Sequence, residues 1–388
     1  MTTTGNTTPT LLSYGFRPLF LLMGAYALIG PVLWMLAWTG QWPAASVTMN
    51  PWWHGHDMLM GLAAAAIGGF LLTAVANWTA TRPVQGSALV WLCLFWISGR
   101  LLPLNDWPAL VADGAYWTLL WGLIALPILR TGNRRNYKVL ALVAALAATD
   151  FAVHLSALFS MDWLRQAVWL QLWLVILLIN LVGGRIIPAF TGNWLRKQSE
   201  RPLSTEELPA AFSRLDLIGG VALAVFAAGV VTQQPAWWTV PAGALSGLLQ
   251  LIRLYRWKTW KTLTDPLVWM LHLSWAWIPV GTLLWTLAEL GMLPVSAAVH
   301  ALGIGAVAGM ILSVASRAAL GHTGRALLSH PLLTGAILLL SLAALSRTLA
   351  SIDGGAVWLW VSLLCWVLAF GGWLARFAPI LAGRLEDG

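Results

Sequence analysis

The amino-acid sequence predicts an all-α fold, a polytopic membrane bundle of about twelve transmembrane helices, on three observations. Of 388 residues, 59% are hydrophobic and only 9% charged, where an average soluble domain carries roughly 25% charge. Mean hydropathy is +0.76. The apolar residues fall into runs of spanning length, each closed by Pro, Gly or charge. Such a chain lacks the charge to coat a water-soluble globule. A soluble enzyme, a nucleic-acid binder and a disordered scaffold are thereby excluded.

A helix that crosses the hydrocarbon needs about 20 apolar residues. The first run, 16–38, follows MTTTGNTTPT, which has no basic region before an apolar stretch and reads as a short tail. Runs 54–77, 86–102, 111–130, 137–159 and 165–190 follow, separated by segments such as TRPVQG and RTGNRRN. The longest polar stretch, 191–214, comes next and divides the chain six and six. Beyond it lie 215–232, 236–255, 265–289, 295–319, 330–350 and 355–377. A single integral membrane domain is expected over 1–388, with possible halves 1–190 and 215–388, and no sequence repeat relates them.

Positive charge orients the bundle. With the N-terminus inside, inner loops hold Arg130, Arg134, Arg135 and Lys138, then Arg196, Lys197, Arg201 and Arg214. Arg253, Arg256, Lys258 and Lys261 fill another, and Arg82, Arg317 and Arg325 belong to the rest. Only Arg100, Arg165 and Arg347 fall outside, leaving 19 of 22 at the inner side. Both termini are therefore expected in the cytoplasm. The net charge of +8 is a topology signal and calls for no nucleic-acid partner.

Ionisable residues within a bilayer are costly and are candidates for function. His54 and His56 lie at the outer end of the second run, His154 near that of the fifth, and His300 about one and a half turns into the tenth. These four share one expected depth in the outer leaflet. His272 is deeper, and His322 and His330 lie in an inner loop. Cys93 and Cys365 stand alone in apolar runs, which removes thiolate sites. Imidazole without thiolate suits haem, copper or both. His54 and His56 point apart if helical, about 200° around the axis, or serve one metal if extended. Asp150 precedes His154 by one turn and is expected either to orient its ring as a metal ligand or to form a proton relay or simple buried pair with it. Arg185 and Arg317, at inner ends, are candidates for haem propionates or for snorkelling to headgroups. Gly61, Ala65, Gly68 and Gly69 form a small-residue face for close helix approach.

WHGHDMLMGLAAAAIGGFLLTAVANWT at 53–79 resembles the signature segment of the NnrS family. GFRPLFLL at 15–22, GGRIIPAFTGNWL at 183–195, PLVWMLHLSWAW at 266–277 and HALGIGAVAGMILSVASRAALGHTGR at 300–325 add to the resemblance. It implies a haem- and copper-containing protein of about twelve helices in the bacterial inner membrane, tied to nitric oxide metabolism and nitrosative stress. Carried over, the family's histidines fall on His54, His56, His272, His300 and His322. Asp57 stands where the family has Glu, and Trp275 where Tyr is common.

The expected site is a haem b iron facing copper, with metal ligands among His54, His56, His154, His272 and His300. His272, His300, His322, Arg185 and Arg317 are the candidates for the haem. Asp57, Asp150 and Glu289 are the candidates for proton supply. Helix counting puts His272 and His300 roughly 15–20 Å apart in depth, too far to share one iron on an unbroken helix. No CxxCH or flavin fingerprint occurs, so electrons are expected from quinol or a separate donor protein. An NO-reducing enzyme, a non-catalytic NO sensor or metal-homeostasis protein, and a twelve-span transporter are the three function classes in play. A haem absorption band would separate the first two from the third.

Overall fold

The computed structural model of the protein describes residues 9–45, 48–210 and 212–384. Most of the expected N-terminal tail, residues 1–8, lies outside them. Among the described residues there is no strand. Twelve long helices follow in order: α1 Phe16–Trp38, α2 Pro51–Thr79, α3 Ser87–Leu101, α4 Trp107–Arg130, α5 Tyr137–Phe159 and α6 Leu164–Gln198. Then come α7 Arg214–Val231, α8 Ala236–Arg256, α9 Pro266–Glu289, α10 Val295–Gly321, α11 Pro331–Asp353 and α12 Ala356–Ala382. The protein is a multi-pass helical membrane protein.

The helix starts are written in the sequence. Pro51, Pro266 and Pro331 each open a helix, where a missing N–H costs nothing. Asn50, Asp265 and His330 before them accept free N–H groups of the first turn. Ser213 and Asp216 close a capping box on α7.

Two spans differ from expectation. Ten of the twelve helices are long and apolar enough to cross a membrane; α3 has only 15 residues, and α8 carries Gln250, Arg253 and Arg256 toward its end. The polar segment starting at 191 is also not all loop, since α6 continues to Gln198. Thr191 there is fully buried.

The chain divides into two compact units. The first runs to Gln171 and adds Ala315–Ala326 and the chain from Trp373; the second holds Leu172–Val314 and Leu327–Gly372. In the first unit α1 packs on α2, α2 and α3 on α4, and α4 on α5. The small-residue face of α2 lets its neighbours approach closely here: a Cβ at Gly68 would lie 2.5 Å from the Tyr116 hydroxyl on α4, and one at Gly69 2.7 Å from the Phe20 ring on α1. In the second unit α8 packs between α7 and α9, and α10 against α9 and α11. Its core is filled by Trp173, Trp275 and Trp285, while the first unit buries Trp117 and Trp373. Many of the 27 tryptophans are thus core packing.

Each unit contains one widened helix. α2 turns π-helical over Asp57–Ala63 and α10 over Ala301–Ala308, in both cases directly after a histidine, His56 and His300. Preceding them, α1 and α9 carry a pair of prolines at the same spacing, Pro18 with Pro31 and Pro266 with Pro279. No sequence repeat is evident, yet one local device is used twice. π turns displace carbonyls from the regular ladder. In α2, the Gly61 carbonyl accepts from Trp96 Nε1 at 2.9 Å, and that of Ala64 from the Tyr116 hydroxyl at 2.7 Å. Side chains of α3 and α4 thereby hold the π segment in place.

Candidate metal centre

Because Asn50 and Pro51 start α2, His54 and His56 are both helical. They point apart, as the helical alternative requires. His54 lies flat on Trp34, with ring centroids 4.8 Å apart and planes at 7°. His56 turns inward and is 2% exposed.

There it meets α3, α4 and α5. His56 Nε2 is 2.7 Å from Asp150 Oδ1, and its ring stands edge-on to that of His154, centroids 5.2 Å apart. His154 Nδ1 donates to the Leu104 carbonyl at 3.0 Å, and Nε2 is 3.1 Å from Asp113 Oδ2. Arg100 Nη2 donates to the same Asp113 oxygen at 2.6 Å, while its Nε lies 3.3 Å from Asp57 Oδ1. All six side chains are at most 4% exposed. Shape enforces the arrangement at two glycines. A Cβ at Gly99 would collide with Asp113, and one at Gly61 would come within 3.0 Å of Arg100 Nη1.

The donor set fits a cation. One nitrogen or oxygen each from His56, Asp113, Asp150 and His154 lies within 4.8 Å of the others. The Leu104 carbonyl can only accept, so Nδ1 of His154 holds the proton. In the neutral ring Nε2 then offers a lone pair toward a carboxylate, which calls for a proton or a metal ion between them. With the imidazoles neutral and the acids ionised, three carboxylates face one guanidinium. The surplus of negative charge equals one divalent ion or two protons, and buried charge demands such compensation. Asp57 Oδ2 and Arg100 Nη1 are buried at this cluster without hydrogen-bond partners.

The sequence-predicted residues distribute unevenly around this centre. His56, His154, Asp57 and Asp150 converge in it. The expected pairing is corrected: Asp150 engages His56, and the carboxylate beside His154 is Asp113. A one-turn spacing permits a contact within a helix, but the inter-helix partner lies closer to each ring nitrogen. Arg100 and Asp113 are the residues that sequence reasoning misses. Arg100 reads there as an outer-loop charge, and Asp113 as one acid in an apolar run. The only sequence signal of Asp113 is its position inside a span.

His300, His272 and Glu289 belong to the second unit. His300 Nδ1 donates to the Ser296 carbonyl one turn earlier at 2.7 Å. Ser296 also contacts Ser351, which accepts from Arg347. His272 has both nitrogens engaged, Nε2 with Thr191 at 2.8 Å and Nδ1 with Thr259 at 2.9 Å. Glu289 accepts from Thr239 at 3.2 Å. Arg185 is a half-buried residue of α6 in this unit. His322, beside the Phe16 ring, and Arg317, near the end of α10, belong to the first unit. Trp275, at the family's Tyr position, is a platform for Arg253, whose guanidinium lies 4.8 Å from its ring centroid. Arg253, expected in an inner loop, is instead buried and pairs with Asp216 at 2.9 Å.

The NnrS protein family model matches residues 10–384, nearly the whole chain. The chain belongs to the NnrS family. A comparison with curated proteins returns no match. The matched residues include 53–79, the segment that brings His56 and Asp57 into the buried cluster.

Proposed function

We propose that this NnrS protein binds nitric oxide at a buried metal centre and reduces it, with haem b and copper as cofactors. Two NO, two electrons and two protons give nitrous oxide and water, which protects the cell against nitrosative stress. The observation that carries this reading is the His56–Asp113–Asp150–His154 cluster, held in an apolar first unit. Its imidazole and carboxylate donors fit divalent copper. The haem finds its best-prepared ligand in His300, whose Nδ1–H is already fixed. A bound metal supplies the NO-binding position and exchanges electrons there.

The chain's own residues do the rest. Nitric oxide is small and neutral, so it reaches a buried centre through the lipid without a polar channel. Arg100 fixes Asp113 and Asp57 and lends positive charge where the N–O oxygen becomes negative. Asp57, the carboxylate of the cluster outside the metal donor set, is the group through which protons are delivered. Electrons come from quinol or a donor protein. The setting is the bacterial inner membrane, with both termini in the cytoplasm.

Metal analysis and an optical spectrum of the purified protein, followed by anaerobic NO consumption with nitrous oxide detection, test the reading. The expected result is haem absorption, copper, and turnover of NO. Absence of both metals rejects the reading, and stoichiometric NO binding without nitrous oxide moves the protein to a sensor.

A further inference from the structure

The first unit contains a cavity of about 550 Å³, lined by the start of α2, the α3–α4 connection, the end of α5 and the start of α6. Its walls include Asn50, Asn105, Ser156, Ser160, Asp162 and Arg165. A site for an ion of one sign would carry one sign of charge; this one pairs an acid and a base among neutral hydrogen-bonding groups. Trp52, Met161 and Leu164 line the rest, so water is held along the polar wall. The elements that form it are those that carry the buried cluster. Asn50 caps the helix of His56, Ser156 is two residues past His154, and Leu104 belongs to both places. Leu104 lines the cavity, and its carbonyl accepts from His154 Nδ1 at 3.0 Å.

We propose that this cavity is the aqueous vestibule of the His–Asp cluster, and that Leu104 is the plug between them. The vestibule serves the hydrated traffic of the centre: protons, product water, and the metal ion during loading. NO and nitrous oxide use the lipid instead. Leu104 lies in a non-helical connection between Leu101 and Trp107, so its displacement unwinds no helix. Opening breaks one hydrogen bond, that from His154. The inference rests on the cluster being a metal centre, and the topology expected from the charge asymmetry makes the cavity open outward.

The test uses Ser160→Cys and, at a second wall, Asn105→Cys, both positions being exposed. Proteoliposomes of outward-facing protein are treated with a membrane-impermeant, bulky thiol reagent, with Cys93 and Cys365 replaced by Ala. Both cysteines are expected to react, and the adducts to slow chelator removal and reloading of copper about tenfold, as gated access does. Leu104→Gly is expected to speed the same exchange by a similar factor. Unreactive cysteines, or unchanged exchange in all modified proteins, overturn the vestibule. If the unmodified protein takes up no metal, the metal-centre reading fails, and cysteine reactivity alone then decides whether the cavity opens to water.

Discussion

Asp113 is the residue on which the buried cluster turns, because one of its oxygens serves both Arg100 and His154. Asp113→Asn removes the shorter of the two ion pairs that Arg100 makes, 2.6 Å, and leaves it the pair with Asp57 at 3.3 Å. Breaking a buried ion pair at one partner costs about 3–5 kcal/mol. A fall in melting temperature in detergent, together with loss of cluster-bound metal, is the expected outcome. Full retention of both would show that Asp113 is a bystander. By contrast His54→Ala, at a ring stacked on Trp34 and turned away from the cluster, is expected to leave that metal in place. In the sequence these two histidines are equal candidates. Only their helical phase, set by the Asn50 cap, separates them.

At the scale of the element, the π segment of α2 and the glycines beside it position the ligands. Gly99 on α3 has no room for a Cβ because Asp113 of α4 approaches it, whereas Gly114 has open space around it. Gly99→Ala is therefore expected to destabilise the protein by about 1–3 kcal/mol through overpacking. Gly114→Ala is expected to be neutral or slightly stabilising, since Ala is the better helix former. Thermal unfolding of the two variants side by side checks the contrast; equal effects would refute the close-approach role of Gly99. Helix existence was legible in chain order from the apolar run lengths. The π register was not legible. Its widened turns are sustained by Trp96 and Tyr116 from other helices, and a window along one helix cannot see them.

For the whole molecule, the charge asymmetry makes a prediction about sidedness. A reporter active only outside, fused after residue 163, is expected to be active, and one fused after residue 205 silent. The reverse pattern would invert the topology and turn the vestibule toward the cytoplasm. The positive charge of the inner loops includes Arg253, which is buried and ion-paired with Asp216 between two tryptophans. The asymmetry does not depend on it, because Arg256, Lys258 and Lys261 lie at the same end.

By itself the sequence determined that this chain is a multi-pass helical membrane protein, roughly where its apolar spans lie, and which family it resembles. Those properties are local: hydrophobic run length, caps and contiguous motifs are all written along the chain. Which ionisable groups meet was decided only by tertiary structure. The centre joins His56, Arg100, Asp113 and His154 from four helices, spread over almost a hundred residues of chain. Depth along each helix could be counted from the sequence, but rotation about each axis depends on packing. Rotation set by Asn50, the π turn, Gly61 and Gly99 turns Asp113 inward and His54 outward.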